Sequence, residues 1–410
     1  MNQQPNPFFN QPSAPQPIDP VMAQPTMQPV VQSAPMQPVQ PAMPSADPAQ
    51  PQPPASTQPA TQPPQPTAPA QPATNFRNPT GAIPESDLAN VGNIVDTITK
   101  AFSSRVVGQD NLRTALLVSM ITGGHVLLES VPGLAKTTAV QTMAASVQGS
   151  FKRIQCTPDL LPSDIIGTQI YDYAKGEFRT ELGPVHANFV LLDEINRSSA
   201  KTQSAMLEAM QERQTSIGGQ RYDLPKPFIV LATQNPVEQE GTYELPEAQL
   251  DRFLLKEILQ YPTPEEELEI LKRIESGILG ATPKADDLPT VSLDDITMMQ
   301  QLVDKVYIDD AAKQYIVQII AATRAPQQYI PAETARYVQY GASPRASITF
   351  QQVAKALALI NGRDYVIPED VKQLRHSVLR HRLILNFEAI ADQVHPEVII
   401  DAIFNAVTAP

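Results

Sequence analysis

From Ser86 to Phe102 apolar residues recur at helical spacing, at Leu88, Val91, Ile94, Val95, Ile98 and Phe102, and predict the first folded element. The period then changes. Four short apolar runs follow, at 125–129, 151–155, 188–192 and 227–233, with helical patterns between them. Runs that are apolar on both faces and separated by helices predict a parallel sheet, and so an α/β fold. The first run leads at once into a glycine-containing turn and a helix from Lys136. Two hairpins interrupt the scheme. One spans Gly167 to Gly183 with Lys175-Gly176 at its tip, and the other brackets Gly218-Gly219. Past Tyr261 the strand signals cease. Thr263-Pro264-Glu265-Glu266 and Ser292-Leu-Asp-Asp295 carry helix-start chemistry. Further helices are predicted over 310–323, 344–360 with Gly362 as the stop, 368–382 and 396–407. The chain thus divides into an arm (1–84), an α/β core with two hairpin inserts (85–261) and an all-helical second domain (262–410).

Composition separates the arm from the rest. Of the 42 prolines, 24 precede Glu85; Arg77, Asp19 and Asp47 are the arm's only charged side chains, and glycine is absent before Gly81. So little apolar surface cannot offset the entropy of ordering the backbone, so this Pro/Gln-rich arm is expected to be disordered with polyproline-II character. It reads either as a solvated spacer or as a docking segment. It has no basic stretch leading into an apolar run, and so does not read as a secretory signal.

The remaining 326 residues hold 29 basic and 41 acidic side chains, a net of −12. That balance argues against a strong grip on nucleic acid or anionic lipid. No apolar run reaches the ~18 residues of a bilayer span. The single cysteine, Cys156, excludes an intrachain disulfide framework and suits the cytoplasm; it reads as a small core residue. The five histidines are scattered away from ligand spacing, which argues against a metal cluster.

The turn after the first run reads Ser130-Val131-Pro132-Gly133-Leu134-Ala135-Lys136-Thr137-Thr138. A phosphate-binding loop has the pattern G-x-x-x-x-G-K-[ST]. Lys136 and Thr137 stand where that pattern needs them, while Ser130 and Ala135 replace the outer glycines. Both substitutes are small, and Gly133 remains free to adopt positive φ, so backbone N–H groups can still approach phosphates at a helix start. Lys136 would reach the β- and γ-phosphates, and the Thr137 hydroxyl would ligate Mg²⁺. The third run ends in Asp193-Glu194. A carboxylate pair closing an apolar strand suits Asp193 to Mg²⁺, directly or through water, and Glu194 to polarising the attacking water. The fourth run closes on Thr233-Gln-Asn235-Pro236, on the strand between those of the phosphate loop and the acid pair. There Asn235 can hydrogen-bond the water or the γ-phosphate. Arg252, in Leu250-Asp-Arg-Phe253, and Arg345, in Gly341-Ala-Ser-Pro-Arg345, are guanidinium groups suited to gripping phosphate oxygens in pairs.

Val107-Gly108-Gln109, Glu129 to Thr137, Leu192-Asp-Glu-Ile-Asn-Arg197 and Met206 to Arg213 together resemble MoxR-type AAA+ ATPases. So do Ala232 to Pro236, Leu245 to Phe253 and Val378-Leu-Arg-His-Arg382. The resemblance runs from about Val91 to Val407. It implies a P-loop core with a helical lid, assembled as a ring of six subunits with ATP held between neighbours. In that frame Val107 and Gly108 sit near the adenine and Asn235 is sensor 1. Arg252 looks like a finger supplied to the next subunit, and Arg345 like sensor 2, reaching its own protomer's γ-phosphate. The two hairpins become a helix-2 insert and a pre-sensor-1 insert aimed at the pore or substrate face. The family's usual task implies chaperone-like remodelling of a protein client, alongside partners carrying von Willebrand factor A domains. Two other readings stand beside ATP-driven remodelling: a nucleic-acid-stimulated motor, and a nucleotide-binding switch with little turnover.

Overall fold

The computed structural model describes residues 82–131, 133–236, 243–279 and 288–410. The expected disorder of the arm falls on residues outside that set, apart from 82–84, and Pro132 of the phosphate loop is also outside it. Helices α1 (Glu85–Arg105) and α2 (Asp110–Thr122) precede β1 (Val126–Glu129) and α3 (Lys136–Ser146). Next come β2 (Phe151–Gln155), α4 (Pro162–Ile166), the hairpin of β3 (Gly167–Asp172) and β4 (Glu177–Leu182), and β5 (Phe189–Asp193). The core closes with α5 (Ala200–Glu212), the hairpin of β6 (Gln214–Ile217) and β7 (Gln220–Asp223), β8 (Ile229–Gln234), α6 (Glu247–Leu250) and β9 (Leu255–Ile258). The second domain holds α7 (Pro264–Glu275), α8 (Leu293–Lys305), α9 (Asp310–Arg324), α10 (Ala332–Ala335), β10 (Val338–Tyr340) and α11 (Pro344–Ile360). It ends with α12 (Pro368–Gln373), α13 (Arg375–Leu379), β11 (Ile384–Leu385), α14 (Phe387–Ala391) and α15 (Pro396–Ala406).

The main sheet is parallel throughout, in the order β2-β5-β8-β1-β9. Successive side chains of a strand face opposite sides, and the core divides accordingly. Val126, Leu128, Phe189, Leu191, Ile229 and Leu231 pack toward α1, α2 and α3. Leu127, Val190, Leu192, Val230 and Ala232 pack with Ile154, Cys156, Met206 and Leu207 on the other face. The first of these cores continues unbroken into the helical domain through Ile296, Ile319, Phe350 and Ile400. The helical domain is thereby anchored on one face of the sheet.

His125 ties this frame together at the foot of β1. Its Nδ1 accepts the Val230 N–H at 3.0 Å, so the ring proton lies on Nε2, which donates to the Met210 carbonyl at 3.2 Å. Burial, reinforced by nearby Arg213, pushes its pKa down to about 3, against a weak opposing pull from the Met210 carbonyl. The unfolded chain therefore binds this proton more readily than the folded one. The stabilisation is complete above pH 6.5 and is lost as pH falls toward 3. Linkage sets the loss from this one group at about 2 kcal/mol by pH 5. His381 is driven in the same direction by burial and by Arg382. Urea unfolding midpoints should thus drop clearly between pH 7 and pH 5; equal midpoints would remove His125 as an acid-sensitive tie.

The capping boxes at Thr263 and Ser292 form as expected. Three features depart from the sequence reading. Strand β9 was not anticipated, because its buried Glu257, paired with Arg380 at 3.5 Å, interrupts the apolar pattern. The helix expected over 368–382 is two short helices that break at Leu374 (φ −110°). The helical domain also carries one antiparallel pairing, β10 with β11.

Candidate functional site

The C-terminal ends of β1, β8 and β5 share one edge of the sheet. Glu129 is level with Gln234 and Leu192 with Ala232, so the loops that leave these strands emerge side by side. Neighbouring strands lie about 4.8 Å apart, so the β1 and β5 exits are separated by roughly 10 Å, with β8 between them. Asn235 leaves β8 in that gap and is buried. The edge therefore brings together the phosphate loop, Asn235 and the Asp193-Glu194 pair, as the motif spacing required.

The phosphate loop is pinned at its start, where the Ser130 N–H donates to the Gln234 carbonyl at 3.1 Å. Gly133 takes φ +90° with open space where a Cβ would lie, so its glycine serves conformation rather than clearance. Ala135 also adopts a left-handed conformation, φ +52°, directly before α3. Alanine thus fills a position where most P-loops use glycine. Helix α3 begins at Lys136 with no capping side chain and no acidic residue in its first turn. Its leading N–H groups and dipole are left for an anion. Ser130 is buried, and its hydroxyl has no partner among the described residues, an orphan polar atom at the loop's base. Thr137 and Thr138 stand half-buried beside Lys136. This donor set fits a polyphosphate.

On β5, Asp193 is oriented from two sides. Its Oδ1 accepts the Thr233 hydroxyl at 2.8 Å, and its Oδ2 accepts Arg153 Nε at 3.1 Å and Nη2 at 2.5 Å. Glu194 turns out of the strand at φ +58°, and its N–H donates to Thr233 Oγ1 at 2.8 Å. Its Oε2 accepts from Gln155 Nε2 at 3.0 Å and lies 3.3 Å from Arg197 Nε. Carboxylates held this way present hard oxygens to a divalent cation and to water. Motif spacing missed Arg153 and Gln155. Their signal was alternation: two polar residues flank Ile154 on an edge strand, and both project to one face.

Gly108 lines a separate cavity of about 770 Å³ between the start of α2, the end of β9 and the helical domain, together with Asp110, Tyr261, Glu266, His376 and His395. Val107 lies half-buried beside it. The cavity adjoins the phosphate loop through Ile258, which pairs with Glu129.

Arg252 and Arg345 stand elsewhere. The Leu254 N–H donates to the His125 carbonyl at 2.8 Å, so this segment lies at the foot of β1. From His125 to Ser130 the strand climbs about 16 Å. Arg252 is exposed. Arg345 Nη1 lies 3.5 Å from Asp251, whose carboxylate also accepts the Ser343 hydroxyl at 2.9 Å and Arg382 Nε at 2.7 Å. Arg345 is thereby tied to the segment that leads into β9. Its partner Asp251 is the chain neighbour of Arg252, three residues before the Leu254 that bonds to His125. Arg382 is buried and also donates to the carbonyls of Phe253 at 2.7 Å and Leu254 at 3.1 Å. Arg380 donates to the Lys256 carbonyl at 2.7 Å. The Val378-to-Arg382 segment is thus a clamp that fixes the helical domain to the lead-in of β9.

A parallel sheet with these loops on one edge and a helical domain clamped to its side defines the AAA+ class of P-loop proteins. Comparison with known proteins agrees. The family described as ATPase family associated with various cellular activities (AAA) matches residues 125–255, and the AAA lid domain matches residues 331–403. The chain is 51% identical over 306 residues to Chaperone MoxR1 of Mycobacterium tuberculosis, covering 74% of this chain and 79% of that one. It is 31% identical over 326 residues to Protein MoxR of Paracoccus denitrificans, covering 76% and 94%. A crystal structure of a candidate ATPase from Cytophaga hutchinsonii superposes with a TM-score of 0.74 at 46% identity, over 80% of this chain and 98% of that one. The chain belongs to the MoxR family of AAA+ ATPases.

Proposed function

We propose that the chain binds and hydrolyses ATP with Mg²⁺ at the seam between neighbouring copies of a ring, and uses the resulting change to remodel a protein client. One observation carries this reading: Lys136, Asn235, Asp193 and Glu194 share one sheet edge, while Arg345 pairs with Asp251, next to Arg252, in the segment that meets His125 at the start of β1. Arginines set near the other end of the sheet from their own phosphate loop suit a neighbour's. Lys136 and the N–H groups of the loop through Val131, Gly133, Leu134, Ala135 and Thr138 would hold the phosphates, with Val107 and Gly108 toward the base. The Thr137 hydroxyl and Asp193 would hold Mg²⁺, which when bound neutralises charge on the phosphates. Glu194 takes a proton from the attacking water, and Asn235 orients that water toward the γ-phosphorus. Arg252 and Arg345 of the neighbouring copy grip the γ-phosphate until it leaves. Their release then loosens the seam, and differential contact with the two nucleotide states drives the change.

Ring assembly gains support from α7, which has no buried residue yet exposes Leu268, Leu271 and Ile274 along one stripe. Client engagement gains support from the β3–β4 hairpin, where Tyr173 is 91% and Phe178 67% exposed and both stack edgewise on Tyr171. Exposed aromatics of this kind mark contact surfaces. A relative that bears the name chaperone points the same way, and von Willebrand factor A-domain proteins are the partner class to test first. Among the described residues no helix is long and apolar enough to cross a membrane. We place the protein in the cytoplasm.

Binding of a fluorescent ATP analogue, followed with steady-state phosphate release, tests the site. The wild-type chain should bind the analogue, more tightly with Mg²⁺, and should release phosphate only when Mg²⁺ is present. Lys136→Ala should bind about a hundredfold more weakly, because it loses charge-assisted contacts to two phosphates. Binding that survives this substitution would remove the loop from the site, and binding without turnover would reduce the protein to a switch.

A further inference from the structure

Asp193 meets any incoming cation with both oxygens already engaged by protein donors. Thr233 holds Oδ1, and the forked guanidinium of Arg153 holds Oδ2 through two nitrogens. The carboxylate is only 10% exposed, so this charge-assisted grip is partly shielded from water. Arg153 itself is 48% exposed. It projects from edge strand β2 on the same face as Gln155, diagonally across from Asp193. Its Nη2 also donates to Gln155 Oε1 at 2.9 Å, and Gln155 Nε2 donates in turn to Glu194.

We infer that Arg153 is a resident counter-cation for Asp193, held on a carboxylate oxygen that an incoming divalent cation would approach, so that Arg153 sets how much Mg²⁺ the site needs. Two like charges cannot share one oxygen at hydrogen-bond distance without strong repulsion. A cation held at Oδ2 would therefore weaken or displace the Arg153 contact. The half-exposed Arg153 side chain has room to swing outward, and Gln155 offers a second acceptor. Without Arg153, Thr233 still holds Oδ1 and the buried β5 backbone still fixes the residue. Removing the guanidinium should consequently ease cation entry rather than misplace the carboxylate. Because Gln155 contacts both Arg153 and Glu194, the departure of Arg153 also reaches the second acid of the pair.

This role rests on the nucleotide reading of the same edge, and the experiment separates the two. The full chain is titrated with Mg²⁺ while binding of a fluorescent ATP analogue is followed, without reference to turnover. Arg153→Gln should lower the Mg²⁺ midpoint about fivefold, the size of a partly exposed ion pair, and leave binding in EDTA unchanged. Arg153→Lys keeps the charge but loses the fork, and should fall between. A midpoint in Arg153→Gln that is unchanged or higher, with wild-type binding intact, overturns the counter-cation role alone. A wild-type chain that binds no analogue at any Mg²⁺ concentration overturns the nucleotide reading, and this role with it.

Discussion

Glu194→Gln should leave ATP binding and assembly intact while phosphate release falls about a hundredfold or more, the usual worth of a positioned general base. The substitution preserves shape and can still accept from Gln155 and Arg197, which now hold the Glu194 carboxylate. The Glu194 N–H, bonded to Thr233, is unaffected, so the left-handed turn survives. What disappears is the negative charge able to take a proton from water. Phosphate release and analogue binding, measured on one preparation, separate chemistry from affinity. Rapid turnover by this variant would assign the base elsewhere, and lost binding would mean that Glu194 supports the fold of the loop.

Arg252→Ala should lower phosphate release about a thousandfold, in line with other arginines supplied across an interface. Its own nucleotide affinity should change little, because Arg252 lies at the foot of the sheet, away from its own loop. The side chain is exposed, so stability should hold as well. Arg345→Ala should behave similarly, since Arg345 pairs with Asp251, the chain neighbour of Arg252. The pair can be told apart from a divided arrangement by mixing. If both arginines come from the same copy, a mixture of Arg252→Ala and Arg345→Ala stays inactive, because every donor lacks one of them. If Arg345 served its own protomer, that mixture would recover.

Much of this edge was legible in the sequence because the chemistry is local. Lys136 and Thr137 follow β1 within a few residues, and Asp193 and Glu194 close β5, so strand ends and motif spacing locate them together. The hairpins were legible for a similar reason: turn glycines lie between short strands that pair with their sequence neighbours. What escaped was non-local. The placement of Arg345 depends on Asp251, Ser343 and Arg382 meeting across roughly a hundred residues, which no periodicity encodes. Strand β9 escaped because Glu257 needs a partner, Arg380, from the other domain before burial is tolerable. Arg153 and Gln155 carried only the weak signal of alternation on an edge strand. Burial of Cys156, by contrast, followed from its small apolar character and was anticipated.

The seam is tested most directly by mixing Lys136→Ala, which has an intact Arg252, with Arg252→Ala, which has an intact loop. Each alone should be nearly inactive. In a random head-to-tail ring about a quarter of the seams then join an intact loop to an intact finger, so phosphate release should recover to roughly a quarter of the wild-type rate. A mixture that assembles and remains as inactive as its parts would contradict a site shared between copies.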